Sequence, residues 1–489
     1  MAGKEQVTLE VDHLIAALPK VSAPTRPWRE VCIHKLQEKI HAVSNPSAFA
    51  PTVASIGPIH HGEEKLKLTE ECKLYYMSDV LTRNGKNDVN AAKSLLQQCV
   101  ESIQKMEKEI RACYAQPIHL ESKELVELMV VDGLFIVGLF QNFEGEAVTD
   151  DDPLAHNPWG SQNLAWDLLL LENQIPMFVL KCLYKLTASE EEQKAITLER
   201  LAHNFFKRYA HLQQDKTVLS KIRQADEDGG NPYRHLLDQL AHSYQPLAEN
   251  RDGEDPPPLP PLKRALRVTQ KFIIKLFLPK PNTAHTSALY ISSATQLHQA
   301  GIKFVKGSTE CSFLDISCKD GVLTMPPVGI TPRTEPLLRN LIMNEQFSDQ
   351  YPEYVTSYAL LMDRLIVTEK DVEFLSNQGI LTNNLGRHED VAGVYSRLKK
   401  EIVLGAPFYY RGTFKAVNKY YNNRWNYWYA AIKRKYFSNP WVTIAVFFGS
   451  ILLFLTSLKT IIQTITFFID RKSKLSGEFN PNFLQLGYY

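Results

Sequence analysis

Eighteen uncharged residues, WVTIAVFFGSILLFLTSL from Trp441 to Leu458, constrain this chain more than any other stretch. Lys459 interrupts the run, and TIIQTITFFI carries the apolar character on to Ile469. A helix rises about 1.5 Å per residue, so roughly 20 residues cross the hydrocarbon core of a bilayer. Lys459 fits near one edge if its ammonium snorkels to the headgroups. Pro440 suits a helix start. Tyr436, Phe437 and Trp441 are amphipathic aromatics of the kind that sit at membrane–water interfaces. A buried hairpin of core helices fits less well, because buried segments are usually shorter than a full span. The reading is a single C-terminal transmembrane segment over 439–469, a large body before it and a short tail, 470–489, after it.

The body is long enough for two or three ordinary domains or one large one. With 44% hydrophobic and 22% charged residues, the chain has the composition of a folded globular protein. A net charge of +1 gives no electrostatic case for a nucleic-acid partner. The seven cysteines are scattered and include no CxxC pair, which argues against a zinc site and a disulfide scaffold and fits a reducing compartment. The first apolar stretch, VTLEVDHLIAAL, is broken by Glu10, Asp12 and His13, so it does not read as a secretory signal. Asn45-Pro46-Ser47 is excluded as a glycan acceptor by its proline. These features lead to the expectation of a tail-anchored protein with its body in the cytosol. The flanking charges do not decide sidedness: Lys433, Arg434 and Lys435 precede the span, and Arg471, Lys472 and Lys474 follow it.

Residues 1–27 read as a loose leader. In CIHKLQEKIHAV, Ile33, Leu36, Ile40 and Val43 have helical spacing. Pro51, Gly57, Pro58 and Gly62 mark a loop. Helix is expected from Leu68, and again from about Ala91 to Ala115. ELVELMVVDGLFIVGLF, Glu124 to Phe140, is apolar nearly all round and reads as a central core helix. As a second span it is too short, because Glu124, Glu127, Asp132 and Glu144 leave only Gly133 to Phe143 uncharged. In WDLLLLENQIPMFVLKCLYKL, Pro176 is expected to break the run into a pair of helices that meet at Asn173–Pro176. The first section of the body, 28–245, ends at a proline-rich linker, 246–262. A second section, 263–438, opens with Arg264, Arg267, Lys271 and Lys275 on one face of a basic amphipathic pattern. SFLDISCKDGVLTMPPVGI reads as two short strands about an Asp320-Gly321 turn, ended by Pro326-Pro327. Helical periodicity then returns from Glu335 to Glu401, and an aromatic, basic helix over 415–436 leads to the span.

Few residues of the chain fall in patterns that carry chemistry. The chain has no GxSxG elbow, no phosphate loop, no GxGxxG and no HExxH. His60 and His61 are adjacent, and neighbours on a regular element point apart, so they make a poor metal pair. Asp167 and Glu172 are five residues apart and do not face each other on a helix. No catalytic, cofactor-binding or metal-ligating residue is assigned, and no cofactor is expected. The rival reading is an uncharacterised hydrolase or transferase with a site near His60, His61 and Glu172.

The chain resembles a plant family, the proteins carrying domain of unknown function 247. The resemblance is carried by the SIGPIHHG loop (55–62), PIHLESKELVELMVVDGLFIV (117–137) and DLLLLENQIPMFVL (167–180). It continues through HLLD (235–238), SATQLHQAGIKF (293–304), DGVLTMPP (320–327), NLIMNEQ (340–346) and RWNYW (424–428). It implies a mostly helical body, a C-terminal membrane helix and no accepted catalytic residues. Some grass members of that family are implicated as male determinants of gametophytic self-incompatibility, acting with small secreted proteins. The expectation is an α+β protein, mainly α-helical, with a small sheet near 310–330 and one transmembrane helix. Its expected function is non-enzymatic, membrane-anchored recognition of a protein partner, a small secreted protein being one candidate. The bilayer is its other expected partner, and nucleic acid is not one.

Overall fold

The computed structural model describes residues 31–36, 46–83, 88–144, 153–154, 158–210, 233–246, 290–348, 352–400, 402–403, 408–423 and 440–477. The leader 1–27, the linker beyond Pro246, the basic stretch 263–280 and the aromatic residues 424–436 lie outside them. The first helices are α1 (Leu68–Arg83), α2 (Val89–Lys105), α3 (Glu107–Cys113), α4 (Ser122–Glu144) and α5 (Pro158–Asp167). Next come α6 (Met177–Thr187), α7 (Glu190–Ala195), α8 (Leu198–Ala210), α9 (Leu236–Tyr244) and α10 (Ala294–Gln299). Strands β1 (Lys303–Lys306), β2 (Ser317–Lys319), β3 (Val322–Met325) and β4 (Val328–Ile330) follow. The rest are α11 (Thr334–Gln346), α12 (Tyr354–Leu365), α13 (Glu369–Asn377), β5 (Leu381–Asn383), α14 (His388–Lys399), α15 (Arg411–Tyr421) and α16 (Pro440–Gly477). The protein is therefore mainly helical with small sheets, as expected.

The chain divides into two units. The first comprises Met1–Pro257, His285–Thr295 and Lys303–Asn418. Its centre is α4, whose apolar surface runs all round the helix and is buried from Leu125 to Phe140 with few interruptions. Two glycines let its neighbours approach. A Cβ on Gly138 would lie 2.7 Å from Val80 Cγ2 and 3.2 Å from the Tyr76 carbonyl of α1, and one on Gly133 would overlap Leu183 of α6. From α8, Phe205 and Phe206 bring their rings to 5.1 and 5.8 Å from Phe140, aromatic packing that adds to the burial. Helix α7 begins in a capping box, the Glu192 amide donating to Ser189 Oγ and the Ser189 amide to Glu192 Oε2.

The Asp320-Gly321 turn forms as the sequence indicates. Both residues have positive φ, +51° and +80°, as a two-residue hairpin turn of mirror type requires, and β2 pairs antiparallel with β3. The sequence reading missed β1, which pairs parallel with β3, and the parallel pair β4 and β5. Parallel partners come from distant chain positions and leave no local turn signal.

Two helical expectations need correction. Residues 31–36 are extended rather than helical. The Cys32 and Ile33 amides donate to the Cys113 carbonyl at 2.9 Å, and Ala115 donates back to Ile33, so their backbone is committed to the 113–115 stretch. Residues 37–43 of that expected helix lie outside the described residues. The helix before Pro176 ends early, at Asp167. The Gln174 side-chain amide donates to the Leu168 and Leu170 carbonyls at 2.8 Å, supplying locally what a continuing helix would supply through its backbone.

The second unit comprises Pro258–Ala284, Gln296–Ile302 and Lys419–Tyr489. It contains α16, 38 residues long, which continues eight residues past the expected end of the span at Ile469. Its segment Ile444–Ile469 is long and apolar enough to cross a membrane, and none of that window is buried.

Candidate functional site

Loop 52–62 is held almost entirely by side chains from elsewhere in the first unit. At the end of α5, the buried Asp167 carboxylate accepts from the amides of Thr52 (3.0 Å), Val53 (2.6 Å) and Ala54 (3.0 Å) and from the Thr52 hydroxyl (3.2 Å). Burial raises its pKa above the usual carboxylate range, and these donors pull against that rise. Asn173 continues the clamp. Its carbonyl oxygen accepts from the Ile56 amide at 2.6 Å, and its amide donates to the Ala54 and Asp167 carbonyls.

Gly57 is the tight point. Its φ is +73°, and a Cβ there would lie 2.6 Å from the Gln174 carbonyl oxygen. Its amide donates to Asp132 Oδ2 at 2.8 Å. Asp132 is fully buried within α4 and pairs through Oδ1 with Lys73 Nζ of α1 at 2.7 Å. Lys73 also donates to the Ser55 carbonyl (2.6 Å) and reaches Glu70 (2.8 Å). Burial opposes the Lys73 charge, but Asp132 and Glu70 outweigh it and raise its pKa above the usual value. Asp132, which in the sequence served only to shorten an apolar run, is thus half of a buried ion pair that fixes the loop.

His60 and Glu172 come together, while His61 is exposed. His60 Nδ1 lies 2.6 Å from Glu63 Oε1 and its Nε2 lies 3.4 Å from Glu172 Oε2. Glu172 Oε1 accepts from the Leu36 amide at 2.6 Å. Burial disfavours the imidazolium, yet the acceptor carboxylates of Glu172 and Glu63 beside the ring nitrogens raise the pKa of His60 above 6.5. The contact is a clasp between loop 55–62, the 168–176 segment and residues 31–36. In the HLLD motif, His235 Nδ1 accepts from the Asp238 amide at 3.3 Å, and its Nε2 lies 3.2 Å from the Cys32 carbonyl. Burial holds His235 down at about 4, consistent with a neutral ring donating to Cys32. Asn340 of α11 completes the network, accepting from the Leu171 amide at 2.7 Å and donating to the Ala48 carbonyl at 2.8 Å.

This arrangement fixes backbone, and most of its lone pairs and protons are already engaged. A cleft beside Asp167, between Thr52, Arg333 and Asn340, has room of about 30 Å³. That is space for a water or two, where ligand pockets run to roughly 300–1,000 Å³. Among the described residues no three His, Cys, Asp or Glu side chains group as a metal site would require. Sequence reasoning missed Lys73, Asn173 and Asn340. For Asn173 and Asn340 a signal existed, since both lie inside the motifs ENQIP and NLIMNEQ; for Lys73 none did.

Two relatives in Arabidopsis thaliana are similar along almost their full length. One, a UPF0481 protein, is 28% identical over 447 residues, covering 90% of this chain and 88% of the relative. The other, a putative UPF0481 protein, is 24% identical over 474 residues, covering 85% and 87%. No solved structure matches. A family model described as a plant protein of unknown function matches residues 33–455, a region holding the loop, its clamps and the start of α16, and the chain belongs to that family, DUF247.

Proposed function

We propose that this protein is a membrane-anchored, non-enzymatic recognition module whose body binds a protein partner. The observation that carries this reading is the Ile444–Ile469 segment, 26 residues of apolar helix with no part of its apolar window buried in the protein. Outside a bilayer such a surface is costly, because each large apolar side chain left in water forgoes about 1.5–3 kcal/mol of burial. The polar network of the body supports the same reading from the other side. Its carboxylates and amides hold backbone in place and leave the outer surface to do the recognising. The specific form suggested by the family resemblance is self/non-self recognition in pollen, with a small secreted protein as ligand. Pollen-restricted expression and linkage to a recognition locus are its expected signs, and broad vegetative expression counts against it.

A hydrolase or transferase built on His60, His61 and Glu172 draws on the 3.4 Å His60–Glu172 contact. That reading is weakened by the use of Glu172 Oε1 on the Leu36 amide and by the burial of the pair.

Sidedness decides which partners are reachable. The test is to place one Asn-x-Thr acceptor in the 246–262 linker and another beyond Asn480, then read glycosylation in plant cells. Modification of the tail alone is the expected result and puts the body in the cytosol, with intracellular partners. Modification of the linker alone puts the body outside and makes a secreted ligand the partner to seek. Modification of neither, with the full chain released by alkaline carbonate, sinks the anchor reading.

A further inference from the structure

Helix α16 is not uniform around its axis. Gly449, Leu452, Thr456, Lys459, Gln463 and Thr466 recur at alternating steps of three and four residues, so they share one seam. On the opposite side, with the same alternation, stand Phe447, Ile451, Phe454, Leu458, Ile461 and Ile465. One face is bulky and wholly apolar. The other is small or polar apart from Leu452, which is the composition of a helix–helix contact face in a bilayer.

The polar groups of the seam are not equal. The threonine hydroxyls are satisfied within the helix: Thr456 donates to the Leu452 carbonyl at 2.9 Å and Thr466 to the Ile462 carbonyl at 2.7 Å. No partner among the described residues serves the Lys459 ammonium or the Gln463 amide, which lie one turn apart. Lys459 stands ten residues before Ile469, about 15 Å along the axis. Sliding the helix until Lys459 reaches the headgroups would leave Ile461, Ile462, Ile465, Phe467, Phe468 and Ile469 outside the hydrocarbon. Keeping those six buried outweighs the cost of holding one lysine inside. Ten residues from Ile469, Lys459 thus lies deeper than the edge position expected from the sequence, and a counter-charge in the membrane would offset the cost of holding it there. A second copy of this helix cannot supply it, because a parallel pair joined through this seam sets Lys459 against Lys459.

We propose that the seam of α16 docks a second, different membrane helix that presents an aspartate or glutamate to Lys459 and Gln463. This rests on the membrane reading above.

The test uses the full chain reconstituted in phosphatidylcholine vesicles with labelled polyleucine helices, some carrying one aspartate stepped through the central turns and some carrying only leucine. Energy transfer reports association. The expected result is about tenfold tighter association with the best aspartate helix than with the leucine helix. Lys459→Leu abolishes that preference, and Lys459→Arg keeps it. Equal association with both hosts, or a preference that survives Lys459→Leu, overturns the docking proposal while leaving the anchor intact. A stronger association between copies of the chain than with the aspartate helix also overturns it. Release of the chain from the vesicles by alkaline carbonate overturns the membrane reading and the proposal together.

Discussion

Loop 52–62 and helix α16 handle polar groups in opposite ways. Around the loop, charged side chains are buried, and most of their capacity is taken up by backbone: Asp167 by three amides, Asp132 by Gly57 and Lys73, Glu172 by Leu36 and His60. In α16 the bulk of the surface is apolar and exposed, and Lys459 stands without a charge partner among the described residues. A buried charge kept this way stabilises little against an apolar replacement, but its loss from one side is severe. What such a network supplies is a single backbone arrangement. The body should therefore be sensitive to single substitutions in the clamp, and α16 should matter for where the protein sits rather than for how the body folds.

The largest effect is expected at the ion pair. Asp132→Ala leaves Lys73 buried beside only the half-exposed Glu70 and takes the acceptor from Gly57, so it should cost about 3–5 kcal/mol. Urea unfolding of the full chain in mild detergent, followed by tryptophan fluorescence, measures it. The double variant Lys73→Met with Asp132→Leu should recover much of the loss, because no charge then remains buried alone. A double variant as unstable as the two singles added together would show that the loop is not organised by this pair.

Gly57→Ala should come next, at about 2–4 kcal/mol. A φ of +73° is costly for any residue with a Cβ, and the new carbon would meet the Gln174 carbonyl, which is held by the Tyr114 hydroxyl at 3.0 Å and cannot easily retreat. Gly62 also has positive φ, +83°, but a Cβ there meets nothing within 4 Å. Gly62→Ala thus isolates the backbone share, about 1 kcal/mol, within the same loop. If both glycines cost the same, contact with the 168–176 segment is not what makes Gly57 necessary.

Much of the fold was legible in the sequence, and less of the clamp. The long apolar helix announced itself because a charge-free run of that length has few other uses, and Asp320-Gly321 announced the hairpin through its turn chemistry. SIGPIHHG and LLLLENQIP stood out as marks of the fold, but nothing local says that Asn173 reaches Ile56, 117 positions away. Helical spacing at Ile33 and Leu36 misled, because the same apolar pair serves equally in an extended segment with its amides taken by Cys113 and Glu172. Lys73 gave no sign, since one lysine in a mixed helix normally lies in water.

The smallest effect is the one that depends on pH. His60 has its pKa raised above 6.5 in the folded protein by Glu172 and Glu63. A raised folded-state value means the folded state binds the proton more tightly. The resulting stability is complete below 6.5 and is lost as pH rises through the folded value. Glu345 also titrates upward of its usual range: burial pushes it to about 7 against donors from Val355 and Thr356. Its unfolded form ionises first, so it too lowers stability as pH climbs from 4.5 through 7. The raw pH profile therefore mixes His60 with buried carboxylates of the same sign, Glu345 and Asp167 among them. Comparing the native chain with His60→Gln removes the common carboxylate contribution. The native chain should be more stable by about 1.5–3 kcal/mol at pH 6, the range for a hydrogen bond to a charged group, and the gap should narrow as pH rises to 9. A gap that stays constant would mean that His60 clasps Glu172 as a neutral ring, and that the loop is held to residues 31–36 by packing and the Leu36 amide alone.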